Sequence, residues 1–257
     1  MASNQNEWLR FRDTRQPLCQ ILAFHPASGS AGFFASLAVQ LPAELELVAF
    51  QLPGRGRRLA EPAQTHMGDV VASIGSGLPR MRLPTIFLGH SLGSYVAFEL
   101  CHWLRQTTGT LPHQLIVSSA AAPNTLVRSA TLLSELDDDR LAAAVASWGV
   151  SDGSFSDPEF RELVLATARS DLKIAETYRF ESRPSLALPI TAWTGDADII
   201  SSQQLRAWSA YGTGLTVEYF AGGHDHLRQP SPAHVRALIE VAKRCGVSFA
   251  TPSGTGS

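Results

Sequence analysis

Six short apolar runs, separated by longer amphipathic stretches, constrain the fold of this chain more than any other feature of its sequence. The runs predict strands at 18–24, 45–50, 85–88, 114–119, 189–194 and 215–220. The amphipathic stretches predict helices at 32–41, 67–78, 92–107, 202–210 and 232–245. Strands that are apolar throughout are covered on both faces, and their alternation with helices favours parallel pairing. The pattern therefore predicts an α/β fold with a mostly parallel central sheet and helices on both faces.

The alternation stops between residues 124 and 183, where the sequence carries no strand signal. Apolar residues recur at helical spacing from 141 to 148, and Asp157 followed by Pro158 is typical of an N-cap and the first position of a helix. We expect a helical insertion above the sheet. It could serve as extra packing helices or as a lid over a substrate pocket, and its position before the later catalytic candidates favours the lid.

The length of 257 residues suits one domain, which we predict over residues 1–250 with the helical lid at about 124–183. The tail at 251–257 is rich in Gly, Ser and Thr and is expected to be disordered. A net charge of −2, with 21 scattered Lys and Arg, gives no basic surface for a nucleic acid. No segment approaches the length of a membrane-spanning helix.

The apolar run at 18–24 follows several arginines and so imitates a secretory signal. However, Gln20 interrupts the run, and Glu7 and Asp13 dilute the positive charge before it. A buried strand explains the run better.

The three cysteines, Cys19, Cys101 and Cys245, are an odd number with wide and irregular spacing. They form neither a disulfide framework nor a metal cluster, and the histidines show no metal-ligand spacing with Cys, Asp or Glu. Together these features predict a cytoplasmic protein without a metal.

The pentapeptide G-H-S-L-G at 89–93 lies between a predicted strand and a predicted helix. This context indicates the nucleophile turn of the α/β-hydrolase fold, with Ser91 as the nucleophile. The turn strains its backbone and crowds its neighbours, so glycine on either side removes the side chains that would clash. The helix start directs the Leu92 N–H at a developing oxyanion. His90 is expected to pack or hydrogen-bond beside the turn.

The chain order in this fold is serine, acid, histidine, and the histidine follows the last strand. His224 directly follows a glycine pair after the run at 215–220 and is therefore preferred to His226 as the base. The acid should follow the preceding strand, where Asp196 and Asp198 are both available. Asp198 is preferred because it sits deeper in the loop, whereas Asp196, next to the strand, is expected to cap the turn.

A second oxyanion donor normally comes from the loop after an early strand. Residues 24–30 read F-H-P-A-S-G-S, and the small residues let the backbone approach a substrate. Ala27 is our choice, paired with the Leu92 N–H, although a turn selected only for its geometry would have a similar composition.

Several of these motifs together resemble one family, the stand-alone type II thioesterases that accompany polyketide synthases and nonribosomal peptide synthetases. The resemblance runs from about residue 18 to residue 239 and rests on 22–30, 51–58 (Q-L-P-G-R-G-R-R), 89–93, E-T-Y at 176–178 and G-G-H at 222–224. The stretch at 51–58 is the most diagnostic, because a generic esterase has no need of it. Relatives usually read F-P-x-A-G-G in the early loop, so Ser28 stands here in place of a glycine.

The resemblance implies hydrolysis of acyl thioesters carried on the phosphopantetheine arm of an acyl or peptidyl carrier protein, with Ser91, Asp198 and His224 in the catalytic roles. It also implies a mobile lid over an acyl pocket. No cofactor of its own is expected, since the carrier protein brings the arm. Alternatives that the residues leave open are a general carboxylesterase or lipase, a product-releasing cyclase, and a non-catalytic carrier-binding protein.

Overall fold

The computed structural model describes residues 7–127, 131–148 and 157–249, and its centre is a seven-stranded sheet. The strands are β1 Trp8–Arg10, β2 Cys19–Phe24, β3 Leu45–Phe50, β4 Thr85–His90, β5 Gln114–Ser118, β6 Ile190–Gly195 and β7 Leu215–Phe220. They lie in the order β1-β3-β2-β4-β5-β6-β7, with β1 antiparallel to β3 and every other pair parallel. The prediction of a mostly parallel α/β sheet is confirmed.

Helices cover both faces of this sheet. They are α1 Ala35–Gln40, α2 Met67–Gly77, α3 Leu92–Thr107, α4 Asp138–Ser147, α5 Pro158–Thr177, α6 Ser202–Arg206 and α7 Pro232–Arg244. The apolar faces of α2 and α3 pack in one core cluster, and those of α1 and α7 pack in another. Within β2, Leu22 belongs to the first cluster and Ile21 to the second, so alternate side chains of one strand serve opposite cores. This is why the strand is apolar throughout.

The sequence analysis missed β1. This strand has only three residues and pairs at the edge of the sheet, so it has neither the length nor the apolar run that identified the others. The predicted helix at 32–41 begins instead with a 3₁₀ turn, Ala31–Phe34, before α1. Similarly, the predicted helix at 202–210 ends as a 3₁₀ turn, Ala207–Ala210.

Parallel pairing brings the carboxyl ends of the central strands to one edge of the sheet. Phe24 pairs with Gly89, His90 with Ser118, and Gly195 with Phe220. The loops that follow these strands, which carry all the predicted site residues, therefore leave from the same edge.

Helices α4 and α5 lie in the predicted insertion and share a small core cluster of their own, formed by Leu141, Val145, Leu165, Ala168 and Leu172. The carboxylate of Glu176, at the end of α5, binds the 3₁₀ turn Leu133–Glu135 before α4, because it accepts hydrogen bonds from the Leu133 N–H at 2.6 Å and the Ser134 hydroxyl at 2.5 Å. That the insertion acts as a lid stays a prediction. Residues 128–130 and 149–156 of the insertion, and the tail at 251–257, lie outside the described residues.

Candidate active site

Ser91 lies in a sharp turn between β4 and α3, with φ of 52° and ψ of −117°. Residues other than glycine rarely adopt this backbone conformation, so the turn is strained. A Cβ atom at Gly89 would lie 2.3 Å from the Gly93 carbonyl oxygen, and one at Gly93 would lie 2.0 Å from the Phe24 carbonyl oxygen. Both glycines are therefore required by close backbone contact, and Gly93 places the end of β2 directly against the turn.

The turn presents the Ser91 hydroxyl to His224, and the two are in hydrogen-bond contact with 2.9 Å between Oγ and Nε2. The other ring nitrogen, Nδ1, lies 3.2 Å from Oδ2 and 3.3 Å from Oδ1 of Asp198. The His224 side chain is 46% exposed and that of Asp198 is fully buried. The structure thus joins the three predicted residues in one series of contacts. In this series the Asp198 carboxylate can orient the His224 imidazole, which can remove the proton of Ser91.

Asp198 is held as a carboxylate by its neighbours. Burial alone would raise its pKa, but the hydrogen bond and the charge of His224 oppose burial and lower the pKa to about 2. Further donors are the Ile200 N–H at 3.4 Å and the Thr194 hydroxyl at 3.3 Å. A carboxylate that stays ionised in this way fixes the Nδ1–H tautomer of the ring.

Asp196 has a different role from the turn cap that we expected. Its Oδ1 accepts a hydrogen bond of 3.0 Å from the Gly222 N–H, so it ties the loop after β6 to the loop after β7. It does not touch His224 in any contact among the described residues. The acid that faces the ring is Asp198.

Ser119 is a site residue that the sequence analysis missed. Its φ of 49° is unusual for a residue other than glycine, and its hydroxyl donates a 2.7 Å hydrogen bond to the carbonyl oxygen of His224. Its own N–H donates to the Trp193 carbonyl oxygen at 2.8 Å. The residue therefore fastens the histidine loop to the end of β5. The available sequence signal was a pair of serines, Ser118 and Ser119, at the carboxyl end of the predicted strand at 114–119.

His226, the rival base, is buried, and both of its ring nitrogens contact residues other than Ser91. The Ser231 N–H donates to Nδ1 of His234 at 3.0 Å, so a neutral His234 carries its proton on Nε2 and donates to Nδ1 of His226 at 2.9 Å. Nε2 of His226 then donates to the Ser118 hydroxyl at 3.1 Å. Burial lowers the pKa of His226 to about 3 and that of His234 to about 4, which keeps both rings neutral.

The same series of hydrogen bonds continues to the motif residue His90. The Ser118 hydroxyl lies 2.9 Å from Nδ1 of His90, and Nε2 of His90 faces the Asp225 carboxylate at 3.6 Å. His90 is fully buried and stacks on Phe33, so it packs and hydrogen-bonds beside the turn. Asp225 follows His224 directly and His226 comes next, so these contacts hold the loop that carries His224 against the end of β5 and the nucleophile turn.

The two predicted oxyanion donors come from the start of α3 and from the loop after β2. Leu92 is the first residue of α3, so its N–H has no acceptor within the helix. Ala27 lies in the loop after β2, whose backbone contacts the turn at Gly93. Neither N–H has a hydrogen-bond acceptor among the described residues, and the role of both as oxyanion donors stays a prediction.

The described residues contain no group of three or more His, Cys, Asp or Glu that could hold a metal ion. None of the helices in the described ranges is long and apolar enough to cross a membrane. All three cysteines are free thiols, and Cys19 and Cys101 are buried in the core.

A mostly parallel sheet with a serine on a strained strand-to-helix turn, followed in the chain by an aspartate and a histidine on later strand ends, defines an α/β hydrolase. A family model described as the thioesterase domain matches residues 19–244, and the chain belongs to this thioesterase family. The resemblance recognised in the sequence is confirmed.

Individual relatives agree with this membership. The thioesterase PikA5 of Streptomyces venezuelae is 32% identical over 228 residues, which cover 86% of this chain and 80% of PikA5. The AMB antimetabolite synthetase AmbE of Pseudomonas aeruginosa is 34% identical over 220 residues, and the match covers 84% of this chain but only 10% of AmbE. The solved structure of the type II thioesterase BorB from the borrelidin biosynthetic cluster superposes with a TM-score of 0.82 at 30% identity, covering 93% of this chain and 98% of BorB.

Proposed function

We propose that this protein is a type II thioesterase that hydrolyses acyl thioesters on the phosphopantetheine arm of an acyl or peptidyl carrier protein. Ser91 is the nucleophile, His224 the base and Asp198 the residue that orients it. The observation that carries the proposal is the 2.9 Å contact between Ser91 Oγ and His224 Nε2, with Asp198 on the opposite ring nitrogen.

The first half of the reaction forms an acyl-enzyme. His224 Nε2 takes the proton of Ser91 as Oγ attacks the thioester carbonyl carbon, and the carbonyl oxygen becomes an oxyanion. Collapse of this intermediate breaks the carbon–sulfur bond, and the imidazolium returns the proton to the leaving thiolate. In the second half, His224 activates a water that attacks the acyl-serine, which releases the free acid and restores Ser91.

The oxyanion is stabilised by the N–H groups of Leu92 and Ala27. Each such donor contributes roughly 3 kcal/mol in a transition state. The positive end of the 16-residue helix α3 adds to this at the same point. A thiolate leaves without a strong proton donor, so these groups suffice for a thioester.

The biosynthetic setting follows from the relatives. PikA5 is named a thioesterase, AmbE an antimetabolite synthetase, and BorB a type II thioesterase of a biosynthetic cluster. We infer that this chain edits or releases acyl groups in a polyketide or nonribosomal peptide pathway in the cytoplasm. It needs no cofactor of its own, because the carrier protein supplies the arm.

A substrate comparison tests the proposal. The protein is given acyl-pantetheine, the same acyl group on a carrier protein, and the p-nitrophenyl ester of that acid, and the products are identified by mass spectrometry. We expect linear free acid and a higher kcat/KM for the thioesters, highest on the carrier protein. Preference for the oxygen ester would identify a carboxylesterase or lipase, and a cyclic product would identify a releasing cyclase. Binding of the carrier without turnover would identify a non-catalytic protein.

A further inference from the structure

We propose that Asp171, on helix α5 of the insertion, is a positioning residue for the oxyanion hole. It acts on the loop after β2, together with Arg55. The inference rests on the proposed function, because it takes Ala27 as an oxyanion donor.

Asp171 is fully buried, and both of its oxygens are engaged. Arg55 binds it in a bidentate pair, Nη1 to Oδ2 at 2.5 Å and Nη2 to Oδ1 at 2.7 Å. A third donor is the backbone N–H of Ser28, which lies 2.8 Å from Oδ2. The carboxylate therefore connects the insertion to two loops that lie far from it in the chain.

The Ser28 N–H belongs to the peptide unit directly after Ala27. Only the φ and ψ of Ala27 separate that unit from the N–H of Ala27 itself, so anchoring one restricts the other. Ser28 also has a φ of 59°, a left-handed backbone that a serine adopts at a cost. The hydrogen bond to Asp171 stabilises this conformation.

Arg55 binds the same loop at a second point, two peptide units after the one that Asp171 holds. Its Nη1 donates to the Gly29 carbonyl oxygen at 3.2 Å, in addition to its pair with Asp171. The two glycines around Arg55, Gly54 with φ of 80° and Gly56 with φ of 53°, let the chain turn so that the arginine enters the interior. This gives a physical reason for the closely spaced glycines at 51–58.

Other residues of the same segment support the early loop. Gln51 Oε1 accepts a hydrogen bond of 3.2 Å from the Ala31 N–H, and His25 Nε2 accepts one of 3.4 Å from the Leu52 N–H. The early loop is thus held along its length by 51–58, whereas Asp171 is its only described hydrogen-bonded contact with the insertion.

Stability alone does not explain a pair of this kind. Two buried charges lose hydration, and apolar residues of similar volume often stabilise a core as well or better. What the pair provides is direction, since a bidentate arginine and a charged acceptor fix the angles of the groups they bind. Here those groups are the peptide directly after Ala27, through the Ser28 N–H, and the Gly29 carbonyl further along the same loop.

The test compares three variants by kcat, KM, urea unfolding and the affinity of a trifluoromethyl ketone that forms a tetrahedral adduct with a serine. Asp171→Asn replaces one acceptor oxygen by an NH₂ group, which then faces the Arg55 guanidinium or the Ser28 N–H, both of which are donors. The double variant Arg55→Leu with Asp171→Leu removes both charges together. Tyr178→Phe is the matched control, because it removes a partly buried 2.7 Å hydrogen bond from the end of α5 to Glu99 without touching the early loop.

We expect Asp171→Asn and the double variant to lower kcat and the affinity of the ketone by the same factor, about tenfold or more, with KM changed less than twofold. The control should lose stability while kcat and ketone affinity stay within twofold. If Asp171→Asn does not fold, the double variant decides the question. Loss of stability with unchanged kcat and ketone affinity in a folded variant would overturn the inference. The proposed function fails separately, if Ser91→Ala retains full hydrolysis.

Discussion

The backbone of Gly222 passes so close to Gly195 that a Cβ atom on Gly195 would lie 2.2 Å from the Gly222 carbonyl oxygen. Gly195 ends β6 and Gly222 follows β7, so this contact joins the loops that carry Asp198 and His224. Gly222 itself has a φ of 120°, which a side chain would disfavour. The meeting of the acid and the base thus depends on two glycines that have no chemistry of their own.

Gly195→Ala should therefore damage both activity and stability. The new methyl group meets backbone rather than a flexible side chain, so the loops must move apart, at a cost of about 1–3 kcal/mol. We expect kcat to fall at least tenfold as Asp198 and His224 separate. Steady-state kinetics and urea unfolding measure the two effects. Gly214→Ala is the control, because a Cβ atom there meets open space, and an equal loss in that variant would contradict the explanation.

Ser91→Ala should lower turnover by roughly 10⁴ to 10⁶, because no other hydroxyl can form the acyl-enzyme. Binding of a carrier protein should persist, since the change removes one oxygen atom from the site. Single-turnover kinetics on an acylated carrier and a binding titration with the unacylated carrier check the two parts. Hydrolysis at the rate of the parent protein would show that the nucleophile is another residue.

Mutation of Asp198 and mutation of Asp196 should have clearly different effects on kcat. Asp198→Asn should lower kcat on the order of 10³ to 10⁴, because an amide can no longer hold the Nδ1–H tautomer or stabilise the imidazolium. Asp196→Asn should change kcat by less than tenfold, since an asparagine oxygen still accepts the hydrogen bond from the Gly222 N–H. Comparable losses in both variants would mean that the loop, and not the carboxylate facing the ring, is what matters.

The stability of the protein should fall as pH decreases from about 6.5 to 4. Burial lowers the pKa of His25 to about 4 and that of His226 to about 3, so these rings stay neutral in the folded protein. In the unfolded chain these histidines bind protons near pH 6.5. The unfolded state then binds more protons than the folded state, so it is stabilised relative to the folded state as pH falls. Each such histidine contributes at most about 1.4 kcal/mol per pH unit.

Urea unfolding at a series of pH values from 7 to 4.5 measures this slope. His226→Phe keeps an aromatic ring but removes one titrating group, so the slope should become shallower. His66→Gln is the matched control, because it also removes one histidine but one whose ring is 69% exposed, and the slope should change less in it than in His226→Phe. A stability that is independent of pH over this range would contradict the buried neutral histidines.

Much of the fold could be predicted because its signals are local. The apolar runs and amphipathic stretches identified six of the seven strands, and only the three-residue edge strand β1 was missed. The nucleophile turn could be recognised for the same reason. Gly89 is required by backbone of the same turn, so its place in the motif is a local effect, whereas Gly93 is required by the Phe24 carbonyl oxygen at the end of β2.

The remaining relationships were decided by tertiary structure. The sequence favoured Asp198 over Asp196 by its position in the loop, but the packing of two loops is what turns Asp198 toward His224 and Asp196 toward Gly222. Arg55 and Asp171 lie 116 residues apart, and no local pattern pairs a loop arginine with a helix aspartate. Periodicity and sterics act over a few residues and so can be read along the chain, whereas a buried charge or hydroxyl finds its partner only after the strands and helices have packed.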